Sequence, residues 1–242
     1  MVTSWSDCKL QSLMNSYNNT DIFDRMVDGI LNISSNKAII VAIDGVDASG
    51  KTNFAKKLYK SLRLKHSDVL LASVDDFHNQ RLVRYAKGVN SPEGFYFDSF
   101  NYSKLKDLLL DPFKNNRKFV QLKYFDCDSD KEVFVKETRI SPSTILIVEG
   151  IFLHRPNLIK YWDYSIFLKV DFDVALERNI NRETDKRRIG NIDKIISKYR
   201  TRYQPGQQLY IKDSRPEEEA DIVIDNSNYA LPIVIKHNFG KF

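Results

Sequence analysis

A single eight-residue stretch constrains the fold of this 242-residue chain more than any other. Residues 45–52 read Gly-Val-Asp-Ala-Ser-Gly-Lys-Thr and fit the pattern G-x-x-x-x-G-K-[ST]. A continuous apolar run, residues 38–43, comes just before it and is typical of a strand buried on both faces of a parallel sheet. A helix is predicted just after it, because Phe54, Leu58 and Leu62 share one helical face. In this strand–loop–helix order, backbone N–H groups and the helix N-terminus hold phosphate oxygens. The sequence therefore predicts a site for a nucleoside triphosphate.

The last two residues of this phosphate loop have specific expected roles. We expect Lys51 to reach the β- and γ-phosphates and the Thr52 hydroxyl to ligate Mg²⁺. An average chain of this length matches the pattern by chance only roughly once in a hundred times. The predicted nucleotide-binding residues are Gly45, Val46, Asp47, Ala48, Ser49, Gly50, Lys51, Thr52, Arg178 and Arg182.

Four further apolar runs predict the rest of the sheet. They cover residues 69–74, 144–148, 164–170 and 221–225. Helical or irregular segments separate them, and the aromatic-rich residues 77–102 are expected to be irregular. Residues 119–139 alternate between apolar and polar side chains around a polar turn, which predicts an inserted β-hairpin. Strands that alternate with helices and end in acidic residues are typical of a doubly wound α/β fold. The predicted fold class is therefore an α/β P-loop NTPase with a mainly parallel sheet.

Acidic side chains follow two of the predicted strands. Asp75 comes after the second strand and Glu149 after the third. If both strands lie beside the strand that enters the phosphate loop, both carboxylates point toward the γ-phosphate, since parallel strands end at one edge. One carboxylate can then accept a proton from an acceptor hydroxyl while the other holds the Mg²⁺ shell. The predicted metal set is Thr52, Asp75 and Glu149. A non-catalytic nucleotide sensor, the alternative class of protein, has no use for such a base.

The net charge of +5 is concentrated in one segment. Residues 178–202 contain nine Lys or Arg and three acidic residues, which leaves the rest of the chain close to neutral. Such a local positive segment suits a small polyanion, and nucleic-acid binding is the weakest hypothesis. We predict a mobile lid over residues 174–205 whose arginines neutralise charge on the transferred group. Arg182 and Arg187 are the first candidates for this catalytic role.

The basic residues of the lid are predicted to lie in three different places: on a helix face, in a loop and on the exposed surface. Arg178 and Arg182 are expected on one helix face, because they lie one helical turn apart. Arg187 and Arg188 are expected in a loop that ends at Gly190. The basic residues assigned to the exposed surface are Lys194, Lys198, Arg200 and Arg202.

Composition excludes several other classes of protein. Two cysteines are too few for a disulfide framework or a four-cysteine zinc site, and they favour a reducing, cytoplasmic setting. No apolar run approaches the ~18 residues of a membrane span, and the N-terminus lacks the profile of a signal peptide. We therefore expect a cytoplasmic protein that binds small molecules and neither nucleic acid nor membranes. Formation of a homo-oligomer stays open.

At four places the residues resemble the uridine kinase and phosphoribulokinase family of P-loop kinases. These are the phosphate loop, residues 73–78 (Ser-Val-Asp-Asp-Phe-His), residues 147–151 (Ile-Val-Glu-Gly-Ile) and the arginine-rich lid. The chain is most similar to bacterial-type uridine kinase-like proteins, through residues 91–96 and 150–156 among others. The resemblance covers roughly residues 38–226.

The resemblance implies phosphorylation of the 5′-hydroxyl of a ribonucleoside, with uridine or cytidine preferred, by ATP or GTP with Mg²⁺. It also implies that Asp75 is the base and that residues 77–102 and the hairpin form the acceptor pocket. Aromatic side chains there could stack on a base. The acceptor-binding residues implied in this way are Asp75, His78, Arg84, Tyr85, Phe95, Tyr96, Asp98 and Tyr124.

The predicted hairpin departs from the family pattern, which has Tyr-Asp-Phe and then a histidine that contacts the base. Residues 124–129 read Tyr-Phe-Asp-Cys-Asp-Ser and contain no histidine, so His78 or His154 would have to substitute. The acceptor therefore stays open, and the alternatives are a pantothenate-like molecule or a sugar phosphate. The cations available to a sugar phosphate are Arg81, Arg84 and Lys87.

The predicted domain organisation has two parts. Residues 1–36 form an N-terminal extension of two short amphipathic helices, because apolar residues recur there three or four positions apart. Residues 37–242 form the P-loop kinase domain, which includes the hairpin at 119–139 and the lid at 174–205.

Overall fold

The computed structural model describes residues 19–35 and 37–237 of the chain. Its strands are β1 (Ile39–Gly45), β2 (Val69–Ser73), β3 (Phe119–Val120), β4 (Phe125–Asp126), β5 (Lys131–Glu132), β6 (Thr138–Arg139), β7 (Ile145–Glu149), β8 (Tyr164–Lys169), β9 (Ile222–Asp225) and β10 (Ile233–His237). Six of them form the central sheet in the order β10-β9-β8-β1-β7-β2. Neighbours from β2 to β9 run parallel, and β10 is antiparallel to β9. This is the mainly parallel α/β sheet that the sequence predicts.

Helices cover both faces of the sheet. They are α1 (Asn19–Ser34), α2 (Lys51–Lys65), α3 (Arg81–Arg84), α4 (Pro92–Asp98), α5 (Tyr102–Leu105), α6 (Asp111–Lys114), α7 (Phe172–Asn181), α8 (Glu183–Ile189), α9 (Ile192–Lys198), α10 (Gln204–Ser214) and α11 (Pro216–Glu219). Short 3₁₀ turns occur at Val74–Phe77 and Ile159–Tyr161, and π-helical turns at Lys106–Leu110 and Tyr199–Tyr203. Within the described ranges, no helix has the length and apolar character needed to cross a membrane.

The central strand β1 shows how one apolar run serves two layers. All of its residues are buried. Ile39, Val41 and Ile43 pack in the same core cluster as α1 and α2, whereas Ile40 and Ala42 pack in the cluster that includes α5 and α6. This division follows from the period of two side chains along a strand. The carboxyl end of β1, which carries the phosphate loop, is thereby held between helical layers.

The N-terminal extension packs on the domain through α1. This is the second of the two helices predicted there, and the first lies outside the described residues. Phe23, Met26 and Ile30 of α1 are buried in the same cluster as α2. The rings of Phe23 and Phe54 lie 4.8 Å apart between their centres, so α1 contacts the helix that follows the phosphate loop.

Three segments differ from the sequence-based expectations. The edge strand β10 was not predicted, and none of its residues is buried. Residues 77–102, expected to be irregular, contain α3 and α4, and the Ser91 hydroxyl caps α4 by accepting from the Gly94 N–H at 2.9 Å. The predicted hairpin at 119–139 consists of two separate short ladders, β3 with β6 and β4 with β5.

Candidate active site

The phosphate loop turns sharply between β1 and α2. Ala48 and Gly50 have positive φ values of 55° and 93°. A Cβ on Gly50 would lie 2.5 Å from the ring of Tyr229 and 2.8 Å from the amide nitrogen of Asn226. Asn226 in turn donates to the Ser49 carbonyl at 2.7 Å. Glycine is therefore required at position 50, and residues that follow β9 hold the loop in place.

Lys51 is the buried cation of the loop. Its side-chain Nζ donates to the Val46 carbonyl at 2.7 Å, across the mouth of the loop. Burial lowers the pKa of Lys51, while the carboxylates of Asp47 and Glu149 oppose that shift. The ammonium group thus lies where a phosphate could replace the carbonyl as its partner.

Thr52 and Glu149 meet at the start of α2. The Thr52 hydroxyl lies 3.3 Å from each carboxylate oxygen of Glu149. β7 is the immediate neighbour of β1, and Glu149 lies opposite Ile43 in the register. Burial raises the pKa of Glu149, and the nearby Asp75 raises it further. The structure therefore brings together three oxygen-bearing side chains that the sequence grouped as a metal set.

Asp75 reaches the same edge from a more distant strand. It lies in the 3₁₀ turn after β2, where its N–H donates to the Ser73 hydroxyl at 3.3 Å, and its side chain is exposed. The condition that both acid-bearing strands lie beside β1 is met by β7 and not by β2, which is separated from β1 by β7. A Cβ on Gly150 would lie only 2.0 Å from the Val74 side chain. This close approach of the two turns holds Asp75 near Glu149.

A buried polar network lies directly below the loop and was not predicted. The Asp44 carboxylate accepts from the His154 ring at 2.7 Å and from the hydroxyl of Tyr210. It also accepts from the backbone N–H groups of Leu153 and His154, each at 3.1 Å. His154 is 1% exposed, so it belongs to this core network and does not face an acceptor. The signal in the sequence was Asp44 itself, a charge inside an otherwise apolar strand.

Arg178 and Arg182 both contact the phosphate loop. Arg178 donates to the Ala48, Asn226 and Ser227 carbonyls, and its guanidinium stacks 3.6 Å from the centre of the Tyr229 ring. The Arg182 guanidinium lies 3.4 Å from the Asp47 carboxylate and 3.5 Å from that of Asp185. Arg182 follows the last residue of α7, so the two arginines do not share one helix face as expected.

Arg187 and Arg188 lie on a helix, and the expectation of a loop is wrong. Both belong to α8, which ends at Gly190, where φ is 114°. Arg188 donates to the Asp128 carboxylate at 2.9 Å, whereas Arg187 approaches the same group only to 3.9 Å. Both side chains are more than half exposed. The arginine-bearing helix therefore rests against the turn between β4 and β5.

The predicted acceptor residues separate into two groups. Four of them make polar contacts at exposed or half-buried positions. The His78 ring donates from Nδ1 to the Asp75 carbonyl at 2.8 Å, and Tyr124 donates to Glu132. Arg84 pairs with Asp130 at 2.9 Å, and Asp98 pairs with Lys87 at 2.8 Å. Burial lowers the pKa of His78.

Phe95 and Tyr96, by contrast, are core residues, and the expectation that they contact an acceptor is wrong. Phe95 packs 5.3 Å from the Phe152 ring centre. Tyr96 is 1% exposed, and its hydroxyl donates to Asp213 at 2.5 Å. Both side chains are on the buried side of α4. The local sequence does not distinguish an aromatic residue of the core from one that would stack on a nucleoside base.

Tyr85 and Arg202 interact with each other. The guanidinium carbon of Arg202 lies 4.6 Å from the centre of the Tyr85 ring, so that ring faces a cation. Arg202 is 2% exposed, and its assignment to the surface is wrong. Nothing in the local sequence separates it from Arg200, which is exposed.

The parallel sheet, the phosphate loop and the strand-end carboxylates together define the class: the chain is a P-loop kinase that phosphorylates a hydroxyl group. The model of the phosphoribulokinase / uridine kinase family matches residues 40–230, and the chain belongs to that family. Family members use a nucleoside triphosphate and a small-molecule acceptor.

Individual relatives agree with this membership. The chain is 28% identical over 193 residues to the uridine kinase of Staphylococcus epidermidis, and the match covers 78% of this chain and 88% of that protein. A structure described as a possible uridine kinase from Bacillus stearothermophilus gives a TM-score of 0.66 at 24% identity, covering 84% of this chain and 97% of that one. A D-glycerate 3-kinase from Cryptococcus neoformans gives a TM-score of 0.59 at 11% identity, covering 88% and 99%. The two structures share the fold with this chain.

Proposed function

We propose that the chain transfers the γ-phosphoryl group of ATP to the 5′-hydroxyl of a ribonucleoside, with uridine and cytidine as the first candidates. The observation that carries the proposal is the convergence of Thr52, Asp75 and Glu149 beside the phosphate loop. The uridine kinase among its relatives supports the choice of acceptor. GTP is the alternative donor.

In the proposed reaction, Asp75 accepts the proton of the acceptor hydroxyl while the hydroxyl oxygen bonds to the γ-phosphorus. The bond between the γ-phosphorus and the β,γ-bridging oxygen breaks, and ADP leaves with that oxygen. Lys51 exchanges its contact with the Val46 carbonyl for the β- and γ-phosphates. Arg182 and Arg187 neutralise the oxygens of the transferred group. A carboxylate is a sufficient base, since phosphoryl transfer depends on positioning and charge neutralisation more than on base strength.

Thr52, Asp75 and Glu149 would hold Mg²⁺. All three offer oxygen atoms, which are the ligands that this ion prefers. The raised pKa of Glu149 beside Asp75 fits a site completed by a cation, because a divalent ion would offset the cost of two neighbouring carboxylates. When bound, the ion neutralises charge on the phosphate oxygens.

The ion pairs around the acceptor pocket favour a neutral acceptor over a sugar phosphate or a pantothenate-like acid. Arg84 is paired with Asp130 at 2.9 Å, and Lys87 with Asp98 at 2.8 Å. To bind Arg84 or Lys87, an anionic acceptor would have to displace a carboxylate. A neutral nucleoside can bind without displacing either carboxylate.

The proposed division of the chain follows the sequence prediction. Residues 37–242 carry out the reaction, and residues 174–205 act as its lid. The contact between Arg188 and Asp128 supports this role, because it joins the lid to the β4–β5 turn beside the acceptor pocket.

The test is release of ADP from ATP and Mg²⁺ in the presence of single acceptors. Uridine and cytidine are compared with purine nucleosides, pantothenate and phosphorylated sugars, and the product is identified by mass. We expect the pyrimidine nucleosides to give the largest kcat/KM. A larger value for an anionic acceptor would reject the proposal, and so would the absence of acceleration by any nucleoside.

A further inference from the structure

Arg202 is a buried guanidinium near the end of the lid, in the turn directly before α10. It lies in the π-helical turn Tyr199–Tyr203 and is 2% exposed. Within residues 19–35 and 37–237, no carboxylate forms an ion pair with it. Burial lowers the pKa of Arg202 below its ordinary value. A buried charge of this kind is costly, so its remaining partners must satisfy most of its donors.

Those partners are backbone carbonyls of one segment. Nη1 donates to the Ser91 carbonyl at 2.9 Å and to the Gly88 carbonyl at 3.3 Å, and Nη2 donates to the Arg84 carbonyl at 2.9 Å. We call residues 84–94 the acceptor segment, because they connect α3 to α4 beside the predicted acceptor residues. The acceptor segment therefore wraps around a single side chain.

Packing supports the same arrangement from two sides. The Arg202 guanidinium carbon lies 4.6 Å from the Tyr85 ring centre and 5.7 Å from the Phe95 ring centre. Beneath it, α10 approaches α4 so closely that a Cβ on Gly206 would lie 2.8 Å from the Phe95 ring. Arg202 thus joins the acceptor segment to a rigid helix.

We propose that Arg202 is a positioning residue that holds the acceptor segment in the shape required for the acceptor hydroxyl to meet Asp75. The kinetic part of this inference rests on the proposed function. The Arg84 side chain pairs with Asp130 of the β4–β5 turn, so displacement of the segment also moves the opposite wall of the pocket. Arg202 makes its three contacts from two nitrogens held in one plane, whereas a lysine would have to make them all from one nitrogen on a shorter side chain.

The test compares Arg202→Met and Arg202→Lys with the wild type and with Arg200→Met. Arg200 is the matched control, because it is an exposed arginine in the same turn. Hydrogen exchange of the amides of residues 84–94 and trypsin cleavage after Arg84 and Lys87 report on the segment without any substrate. KM for the nucleoside and KM for ATP report on its role in the reaction.

For Arg202→Met we expect faster exchange and cleavage confined to the acceptor segment, and KM for the nucleoside raised at least about tenfold, which corresponds to about 1.4 kcal/mol. KM for ATP should stay within about twofold, because the phosphate loop is held by other residues. Compared with Arg202→Met, Arg202→Lys should return thermal stability closer to the wild-type value than it returns KM for the nucleoside. Arg200→Met should match the wild type in every measurement.

Two results would overturn the inference. One is that hydrogen exchange in the acceptor segment is no faster in either Arg202 variant than in Arg200→Met. The other is a uniform rise in exchange across the described chain, or global unfolding of both variants, which would make Arg202 an ordinary core residue. If no nucleoside is phosphorylated by the wild type, the proposed function fails, and the exchange data still decide whether Arg202 holds the segment.

Discussion

Replacing Gly150 by alanine would place a methyl group where the turn after β7 meets the turn after β2. The new Cβ would lie 2.0 Å from one methyl carbon of Val74 and 2.8 Å from its Cβ, whereas ordinary contacts begin at 3.4 Å. Val74 is 0% exposed, so it cannot swing into solvent and one of the two turns must move. Overpacking of this kind costs about 1–3 kcal/mol. We expect the free energy of unfolding of Gly150→Ala to fall by that amount in urea denaturation.

The same displacement should lower catalytic turnover more than it lowers nucleotide binding. Glu149 and Asp75 are the chain neighbours of Gly150 and Val74, so a shift of either turn separates the two carboxylates. A misplacement of about 1 Å can cost about 10²-fold in rate. The phosphate loop lies on β1, and calorimetry should therefore give an ATP affinity within about twofold of the wild type.

A double-mutant cycle with Val74→Ala provides the control. Val74→Ala alone leaves a cavity and should cost about 2 kcal/mol. In the double variant the alanine methyl at position 150 enters that space, so the combined cost should be smaller than the sum by about 1–2 kcal/mol. Strictly additive costs, or wild-type turnover in Gly150→Ala, would refute the reasoning that the contact of these two turns positions the site.

Three further predictions follow from individual side chains. Asp75→Asn should lower kcat by about 10²- to 10⁴-fold while ATP affinity is retained, and near-wild-type turnover would exclude Asp75 as the base. Lys51→Ala should weaken ATP binding at least about tenfold as measured by calorimetry, and unchanged affinity would contradict the assignment of the loop. Burial and the nearby Asp47 raise the pKa of Asp185 to about 6, above its unfolded value of about 3.9. The folded state therefore holds one proton more than the unfolded state between these values, so wild-type stability falls as the pH rises from about 4 to about 6 and stays low above that. Asp185→Asn should match the wild type in thermal unfolding near pH 3.5, below the unfolded pKa. Above pH 7 it should be about 1 kcal/mol more stable, a value reduced for the partial exposure of the carboxyl group. A difference independent of pH would disprove this account.

Much of the fold could be predicted from the sequence because the patterns that indicate it involve residues close together in the chain. The apolar run that becomes β1 and the glycines of the phosphate loop act over neighbouring residues, and the strand predicted at residues 164–170 forms β8 (Tyr164–Lys169). The edge strand β10 and the helices α3 and α4 were not predicted. Their residues do not follow a clear period, and their conformations depend on caps and on packing against other elements.

The candidate site also contains residues that the local sequence predicts and residues whose positions depend on tertiary packing. The sequence by itself determined the phosphate loop, with Lys51 and Thr52 in place, and the acids at the ends of β2 and β7, because each lies within a few residues of the strand that positions it. Only the tertiary structure decided that β7 lies between β1 and β2, that Phe95 is a core residue, and that Arg202 is buried. The Arg202 guanidinium meets the Arg84 carbonyl across 118 positions of the chain. A contact between such distant residues depends on the packing of α10 against α4, which no local pattern of side chains encodes.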